Sequence, residues 1–535
     1  MKQQWLRFLL IFIALLPVML LRDFTPDNEL KYLSIADEAI ANGNIFAFYN
    51  HGVAYADKPP LYIWAVMLCR LLFGEHLMFA LSLLSVIPAF VTVYIMDKWT
   101  RRYISNNETI TGELMLFTAV YFIAPMIVLR MDMLMTMFIV LSLYTFFRMY
   151  EYSHSNPAEN NTVLSRMRRY RMQLAVYIFM ALFTKGPVGI LVPVISIIVF
   201  LIVKKELRCI GRYLGWSTWA VIAGLCAVWF SAVYIDGGKE YLNNLLFNQT
   251  VNRAVDAFDH KKPFYFYGVS YWFSLAPWSL LAFVAIATGY YRKMMGSDII
   301  KLFVSVTAST IVMLSLISSK LEIYLLPCFP FIIYMTATLL PRMQNNIWIK
   351  IAVLIPATAF IATLPVSVIM HRTISGLLPQ GTSLWAPIPV FTAILCAGGL
   401  YAAWLIYKSR IGAAINSVAI ALLAVIFTAS LSLASFNKVI GMKEGCSKAL
   451  EMAREKGIEN FSYYRLKGGD NFDVYLGTKL KEADAATLDS LENSILFIKT
   501  KYIKRDSLLN AAVYGKQRVE YGAFSVIPFE KAERQ

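Results

Sequence analysis

Long apolar runs follow one another along this chain, joined by short polar or basic links and without period-two alternation. A helix needs about 20 mostly apolar residues to cross the hydrocarbon of a bilayer. Only helices and closed barrels satisfy their backbone there, and a barrel strand would alternate. The pattern predicts about thirteen spanning helices, at 5–21, 77–96, 110–129, 132–150, 172–186, 187–203, 214–235, 265–289, 300–318, 323–340, 347–370, 385–407 and 412–435. Residues 22–76 break it. There Tyr32, Leu33, Ala36 and Ile40 recur on one face of a helix from about Glu29 to Ala41, with Gly43 as a stop. A second helix starts at Pro59 or Pro60, where proline suits the first turn, and runs through Ile63, Trp64 and Leu72 to Gly74. Such segments fit helices lying in the membrane interface. Past residue 436 the apolar runs shorten. A helix over 445–456 ends near Gly457, and strand-like runs sit near 460–465, 494–498 and 524–528. The expected fold is an all-α polytopic membrane domain over 1–436, with interfacial helices in its first outer loop. A small extracytoplasmic α/β domain over 437–535 follows it.

Composition agrees. The chain is 58% hydrophobic with a mean hydropathy of +0.56, and only 16% is charged, against about a quarter in soluble proteins. The first segment opens on Lys2 and Arg7 like a signal peptide, but Leu-Leu-Arg-Asp follows it with no small-residue cleavage site. It reads as a retained span. Basic residues mark alternate loops: Lys98, Arg101 and Arg102; Arg148 and Arg166 to Arg171; Lys204 to Arg212; Arg292, Lys293 and Lys301; Arg342 and Lys350; Lys408 and Arg410. The positive-inside rule puts these loops and the N-terminus in the cytoplasm. An odd number of spans then puts the C-terminus outside. The net charge of +16 reflects topology and anionic headgroups rather than nucleic acid, since no basic run is interleaved with stacking aromatics. The six cysteines show no CxxC or metal spacing, and no repeat or low-complexity tract is present.

The ionisable residues near the bilayer gather at the outer helix ends. Asp23, Asp27, Glu29 and Lys31 open the first outer loop, and Asp57 and Lys58 precede its second helix. Asp132 follows Arg130 between two apolar runs, Lys185-Gly186-Pro187 joins two spans, and Lys320 and Tyr324 join two more. His260 precedes another span on that side. Charge at membrane depth is costly and marks function by default. Each residue also has a plainer reading. Asp27 and Asp57 would suit helix starts, Asp132 would pair with Arg130, and Lys185 and Lys320 would anchor headgroups. His260 would be an ordinary loop residue, and Pro277, Trp278 and the tyrosines near 265–272 would be interfacial belt and packing. The functional case rests on the set.

These motifs in order resemble the integral-membrane glycosyltransferases of the GT-C class. They are nearest to the bacterial lipid A aminoarabinose transferases and their protein O-mannosyltransferase relatives. The matching pieces are Pro-Asp27-Asn28-Glu29-Leu-Lys31-Tyr32, Tyr55-Ala-Asp57-Lys58-Pro-Pro-Leu-Tyr, Arg130-Met-Asp132-Met-Leu-Met-Thr, Thr184-Lys185-Gly186-Pro187, Ala276-Pro277-Trp278-Ser279 and Ser319-Lys320-Leu-Glu-Ile-Tyr324-Leu-Leu-Pro327. They cover roughly residues 5–340. The resemblance implies transfer of a sugar from a polyprenyl-phosphate donor at the outer face of the bacterial inner membrane. It implies an acid of the first outer loop near the acceptor or a metal, an Asp in the role of Asp132, a donor-phosphate contact at Lys58, and site-lining tyrosines at Tyr55 and Tyr324. The chain departs from the family pattern Pro-Asp-Glu-x-Arg-Tyr by one extra residue, so the acid aligns with Asp27 from one side and with Asn28 from the other. Asp57 also stands where the family carries Glu. These departures leave the acceptor open among lipid A or a related glycolipid, a surface glycan and a protein hydroxyl.

A phosphate leaving group needs no nucleotide loop, and the sequence has none. Cations must neutralise charge as the sugar–phosphate bond breaks; Lys58, Lys185, Lys320 and Arg253 are the candidates. A carboxylate must take or orient the acceptor proton; Asp27 is the first choice, with Asp132 and Glu29 behind it. Lys31, Tyr55, Asp57, His260 and Tyr324 would contact substrate. The sequence requires no cofactor; a divalent metal, if used, would take hard oxygen ligands from Asp27, Glu29 or Asp57. The expected partners are the donor, a lipid or glycan acceptor and membrane lipids, and the chain would act as a monomer. A transporter is the main rival reading, but it predicts midplane charges and repeated halves; a flippase, the second rival, predicts a hydrophilic cavity along several spans.

Overall fold

A computed structural model of the chain describes residues 2–155, 161–247, 261–370, 373, 387–484, 487–488, 491–505 and 507–530. Among the described residues, nine helices are long and apolar enough to cross a membrane: Gln3–Leu21, Met78–Thr100, Asp132–Ser155, Trp216–Phe247, Asp298–Leu316, Glu322–Arg342, Ile347–Ile369, Pro387–Tyr407 and Ile411–Ser430. Two bent pairs raise the number to eleven: Asn106–Thr118 with Val120–Ile127, bent by 62°, and Phe266–Ser274 with Ser279–Tyr291, bent by 114°. The two further spans expected from the sequence look different in three dimensions. The run at 172–186 is the apolar half of a 25-residue helix, Asn161–Lys185, whose other half carries Arg166, Arg168, Arg169 and Arg171. The run at 187–203 is a 16-residue apolar helix, Val188–Val203.

The two bends meet. Val120 donates its amide to the Ala276 carbonyl at 3.0 Å, and Trp278 Nε1 donates to Thr118 Oγ1 at 3.0 Å. Groups freed where one helix breaks are thus satisfied by the other, as a low-dielectric interior demands. Trp278 is fully buried, so it packs the core and is no interfacial belt residue.

Residues 22–76 fold as two helices, Lys31–Asn42 and Leu61–Phe73, each ending at a left-handed glycine, Gly43 and Gly74. A tight two-residue hairpin, Tyr49–Asn50 against Val53–Ala54, lies between them. The buried face of Lys31–Asn42 is wider than the expected stripe: Leu33, Ser34, Ile35, Ala36 and Ala39 are buried. The helix is covered twice. Tyr32 meets Tyr62 edge to face at 5.8 Å, and Ser34 donates to Asp473 Oδ2 at 2.9 Å.

Beyond Lys443–Lys456, a helix closed by left-handed Gly457, five strands form one sheet. They are Asn460–Tyr464, Lys481–Glu482, Ser494–Lys499, Val519–Tyr521 and Phe524–Phe529. In space Lys481–Glu482 lies at one edge, followed by Asn460–Tyr464, Ser494–Lys499, Phe524–Phe529 and Val519–Tyr521. The first two pairings are parallel and the last two antiparallel. The sheet shares an apolar core with residues 22–76: Phe24, Leu30, Leu33 and Tyr62 lie in one cluster with Leu129, Met131, Cys446, Phe472 and Val526. Two carboxylates secure that contact. Asp23 accepts from Tyr475 Oη at 2.6 Å and from the Lys443 amide at 2.8 Å. Asp473 lies 3.7 Å from His51.

Candidate functional site

Asp132 opens the helix Asp132–Ser155, where a carboxylate suits the helix dipole. Lys185 closes the helix Asn161–Lys185, where a cation suits it. The turn at Gly186-Pro187 brings that end against Asp132, and Lys185 Nζ donates to Asp132 Oδ1. Arg130 Nε stands 3.4 Å from the second carboxylate oxygen. Lys185 Nζ also lies 4.6 Å from the centre of the Tyr324 ring, which the 3₁₀ segment Glu322–Cys328 presents. The charge of Lys58 reaches Asp132 as well. Tyr32 senses the charges of Arg130, Asp132 and Asp57, and loss of solvent pushes its phenol up to about 12, so it remains a neutral donor. Lys58, Asp132, Lys185 and Tyr324, from four parts of the sequence, are therefore gathered at one end of the helices. Lys31 Nζ lies 4.7 Å over the Tyr55 ring beside them.

Glu29 has a different place. It is fully buried. Its two oxygens receive both terminal nitrogens of Arg22 at 2.6 Å, the Thr25 amide and hydroxyl at 2.8 and 2.9 Å, and the Leu129 amide at 2.7 Å. Five hydrogen bonds use its acceptor capacity. Glu29 ties the start of the loop over residues 22–76 to the stretch of backbone that leads into Asp132. The segment Pro26–Leu30 is a π-turn. Such a turn holds one residue more than an α-turn. Glu29 thus turns inward while Asp27 turns outward.

Asp27 is 41% exposed in its side chain and pairs with Lys467 of the C-terminal part at 2.6 Å. Lys320 is buried, and its ammonium donates to the carbonyls of Lys262 at 3.1 Å and Ile317 at 2.5 Å, which joins two chain segments. Arg253 and His260 lie outside the described residues. Among the described residues no three His, Cys, Asp or Glu side chains converge as a metal site. Asp27 and Glu29, two of the three ligands considered, turn to different partners.

Sequence reasoning missed Arg22, Asp236 and Tyr241. Arg22 stands out only as a charge at the end of the first apolar run. Asp236 and Tyr241 sit at the end of a span with no motif around them. Asp236 accepts from the amides of Ile45, Phe46 and Ala47, a role visible only once the loop is folded against it.

The buried Lys185–Asp132 pair lies at the helix ends, and the C-terminal sheet packs against the helices Lys31–Asn42 and Leu61–Phe73. Among solved structures the chain matches ArnT from Cupriavidus metallidurans bound to undecaprenyl phosphate. The TM-score is 0.75 over 98% of each chain, at 16% identity; the apo form of that protein gives 0.73. In sequence the chain is 22% identical to the undecaprenyl phosphate-alpha-4-amino-4-deoxy-L-arabinose arabinosyl transferase of Shewanella sediminis, over 75% of this chain and 70% of that one. It is 26% identical to the transferase of the same name from Edwardsiella ictaluri, over 60% of this chain and 56% of that one. A protein of Aquifex aeolicus matches at 27% identity over 58% of this chain and 59% of its own length. The chain thus spans little more than half the length of several curated relatives. No family model matches it. It resembles the aminoarabinose transferases in sequence and shares their fold.

Proposed function

We propose that the chain is a glycosyltransferase that moves a sugar from a polyprenyl-phosphate donor to an extracytoplasmic acceptor, with lipid A or a related glycolipid favoured. The observation that carries this reading is the sealed Lys185–Asp132 pair with Arg130, Lys58 and Tyr324 around it. The likeness to proteins named for undecaprenyl-phosphate aminoarabinose transfer supports it.

In this reading Lys58 and Lys185 neutralise the phosphate as its bond to the sugar breaks. An ammonium has three donors, so Lys185 keeps its bond to Asp132 while it reaches the phosphate. Asp132 serves to hold and orient Lys185; a carboxylate between two cations is a poor base, because protonation would leave their charge uncompensated. Asp27 takes the acceptor proton, being the acid whose oxygens face solvent and whose partner Lys467 is itself exposed. Attack opposite the phosphate inverts the anomeric carbon. Glu29 is a structural tie. The two helices of the first outer loop lie along the outer surface of the bacterial inner membrane, the N-terminus is cytoplasmic, and the sheet over 437–535 is an extracytoplasmic domain of a monomer.

Purified chain in nanodiscs, given a labelled undecaprenyl-phosphate aminosugar and lipid A, tests this by product formation. Label that crosses the bilayer with no glycosylated product would replace the transferase by a transporter. Mass spectrometry of lipid A and envelope glycans from a deletion strain separates the acceptors.

A further inference from the structure

The helix Trp216–Asn243 grips the first outer loop by its backbone. Asp236 Oδ2 accepts from three successive amides, Ile45, Phe46 and Ala47, at 3.0, 2.6 and 2.8 Å. Its other oxygen accepts from Asn44 Nδ2 at 3.3 Å. Past a kink at Gly238, whose φ is 75°, the Tyr241 hydroxyl accepts from the Phe48 amide at 3.0 Å and donates to the Tyr55 carbonyl at 2.8 Å. Gly237 lies between them, and a Cβ there would stand 2.5 Å from the Ala47 methyl. Only glycine lets the helix and loop approach this closely. Ala47 and Phe48 are fully buried, and the Tyr55 amide returns to the Phe48 carbonyl at 2.8 Å. Tyr241 therefore holds both feet of the hairpin that leads directly into Asp57 and Lys58.

We propose that Asp236 and Tyr241 are positioning residues for Lys58: through the backbone of residues 44–55 they set where its ammonium stands beside Asp132. The inference rests on the reading of Lys58 as a donor-phosphate contact. The loop between Asn42 and Leu61 has little regular structure of its own, so its path depends on contacts outside it, these bonds among them. A charge that must meet a phosphate gains from being fixed before the ligand arrives.

The test uses the full chain in nanodiscs with undecaprenyl phosphate as the probe. Binding, donor KM, acceptor KM and kcat are measured for Asp236→Ala, Asp236→Asn and Tyr241→Phe, each with Lys58 present and with Lys58→Ala. Asp236→Ala should weaken undecaprenyl phosphate binding and raise donor KM by about tenfold, a misplacement effect, and leave acceptor KM unchanged. With Lys58→Ala its effect should shrink to less than about twofold, since residues that act through one another are not additive. Asp236→Asn, which keeps an acceptor oxygen, should recover most of the loss. Hydrogen exchange at residues 45–48 should rise in Asp236→Ala. If Asp236→Ala does not fold, Tyr241→Phe carries the same comparison through loss of one hydroxyl. An equal effect in both Lys58 backgrounds, or faster exchange with unchanged binding, overturns the inference alone. If Lys58→Ala leaves binding untouched in the parent chain, the donor-phosphate reading falls and this inference falls with it.

Discussion

Lys185 donates to Asp132 in a place that water hardly reaches: their side chains keep 9% and 2% of their surface. The pair joins the ends of two helices and supplies a cation whose position is fixed by its partner. Removing one member of a buried pair leaves the other uncompensated, at a cost of about 3–5 kcal/mol. Asp132→Asn and Lys185→Met should each lower the melting temperature in detergent and abolish transfer. The double variant should recover much of the stability and none of the activity. Activity returning with stability would reduce the pair to a structural tie.

Glu29 and Arg22 form a second buried pair of another kind, since Glu29 is filled with hydrogen bonds and has no oxygen left for a substrate. Glu29→Gln should destabilise the chain by about 3–5 kcal/mol, and the loss of transfer should follow the loss of folded protein. A variant that melts normally and fails to turn over would make Glu29 the proton acceptor.

Asp27 gives the opposite pattern. Its bond to Lys467 is exposed on both sides, and such pairs contribute about 0–1 kcal/mol. Asp27→Asn should therefore melt like the parent chain and lose about 10²–10⁴-fold in kcat, the usual contribution of a general base. Lys467→Ala should change neither strongly. Undiminished transfer by Asp27→Asn removes Asp27 from the proton step.

Asp473 predicts a pH dependence where the C-terminal part meets residues 22–76. Burial raises its carboxyl above the usual range, against the opposing pull of His51 and the hydrogen bond from Ser34, with Asp37 adding to the rise; Asp470 faces His51 from the same segment. The unfolded chain holds that proton less tightly than the folded one. Protonation therefore favours the folded form, and the Asp473 contribution grows as pH falls through the raised value, is complete below the ordinary carboxylate range, and is lost as pH rises again. Asp473→Asn, which keeps an acceptor for Ser34, should flatten this part of the profile. Identical pH slopes of melting temperature in the two chains would show that Asp473 titrates without consequence for the contact.

The sequence by itself determined what local pattern can carry. Apolar run length marked the helices, and Gly43, Gly74 and Gly457 ended theirs because glycine takes the left-handed conformation that closes a helix. Asp132 and Lys185 stood out because charge at the end of an apolar run is costly, and Lys58 and Tyr324 stood out through the motifs that resemble a known family. Tertiary structure decided which of them meet and in what state. Pattern alone did not separate Asp27 from Glu29, two residues apart; a π-turn sends one to solvent and the other to Arg22. Lys320 read like Lys185 until the fold turned its ammonium onto two carbonyls. Asp236 and Tyr241 carried no signal, because their partners are backbone amides and a carbonyl nearly two hundred positions away. Backbone groups look alike at every residue, so only the folded path of the chain says which side chain will hold them.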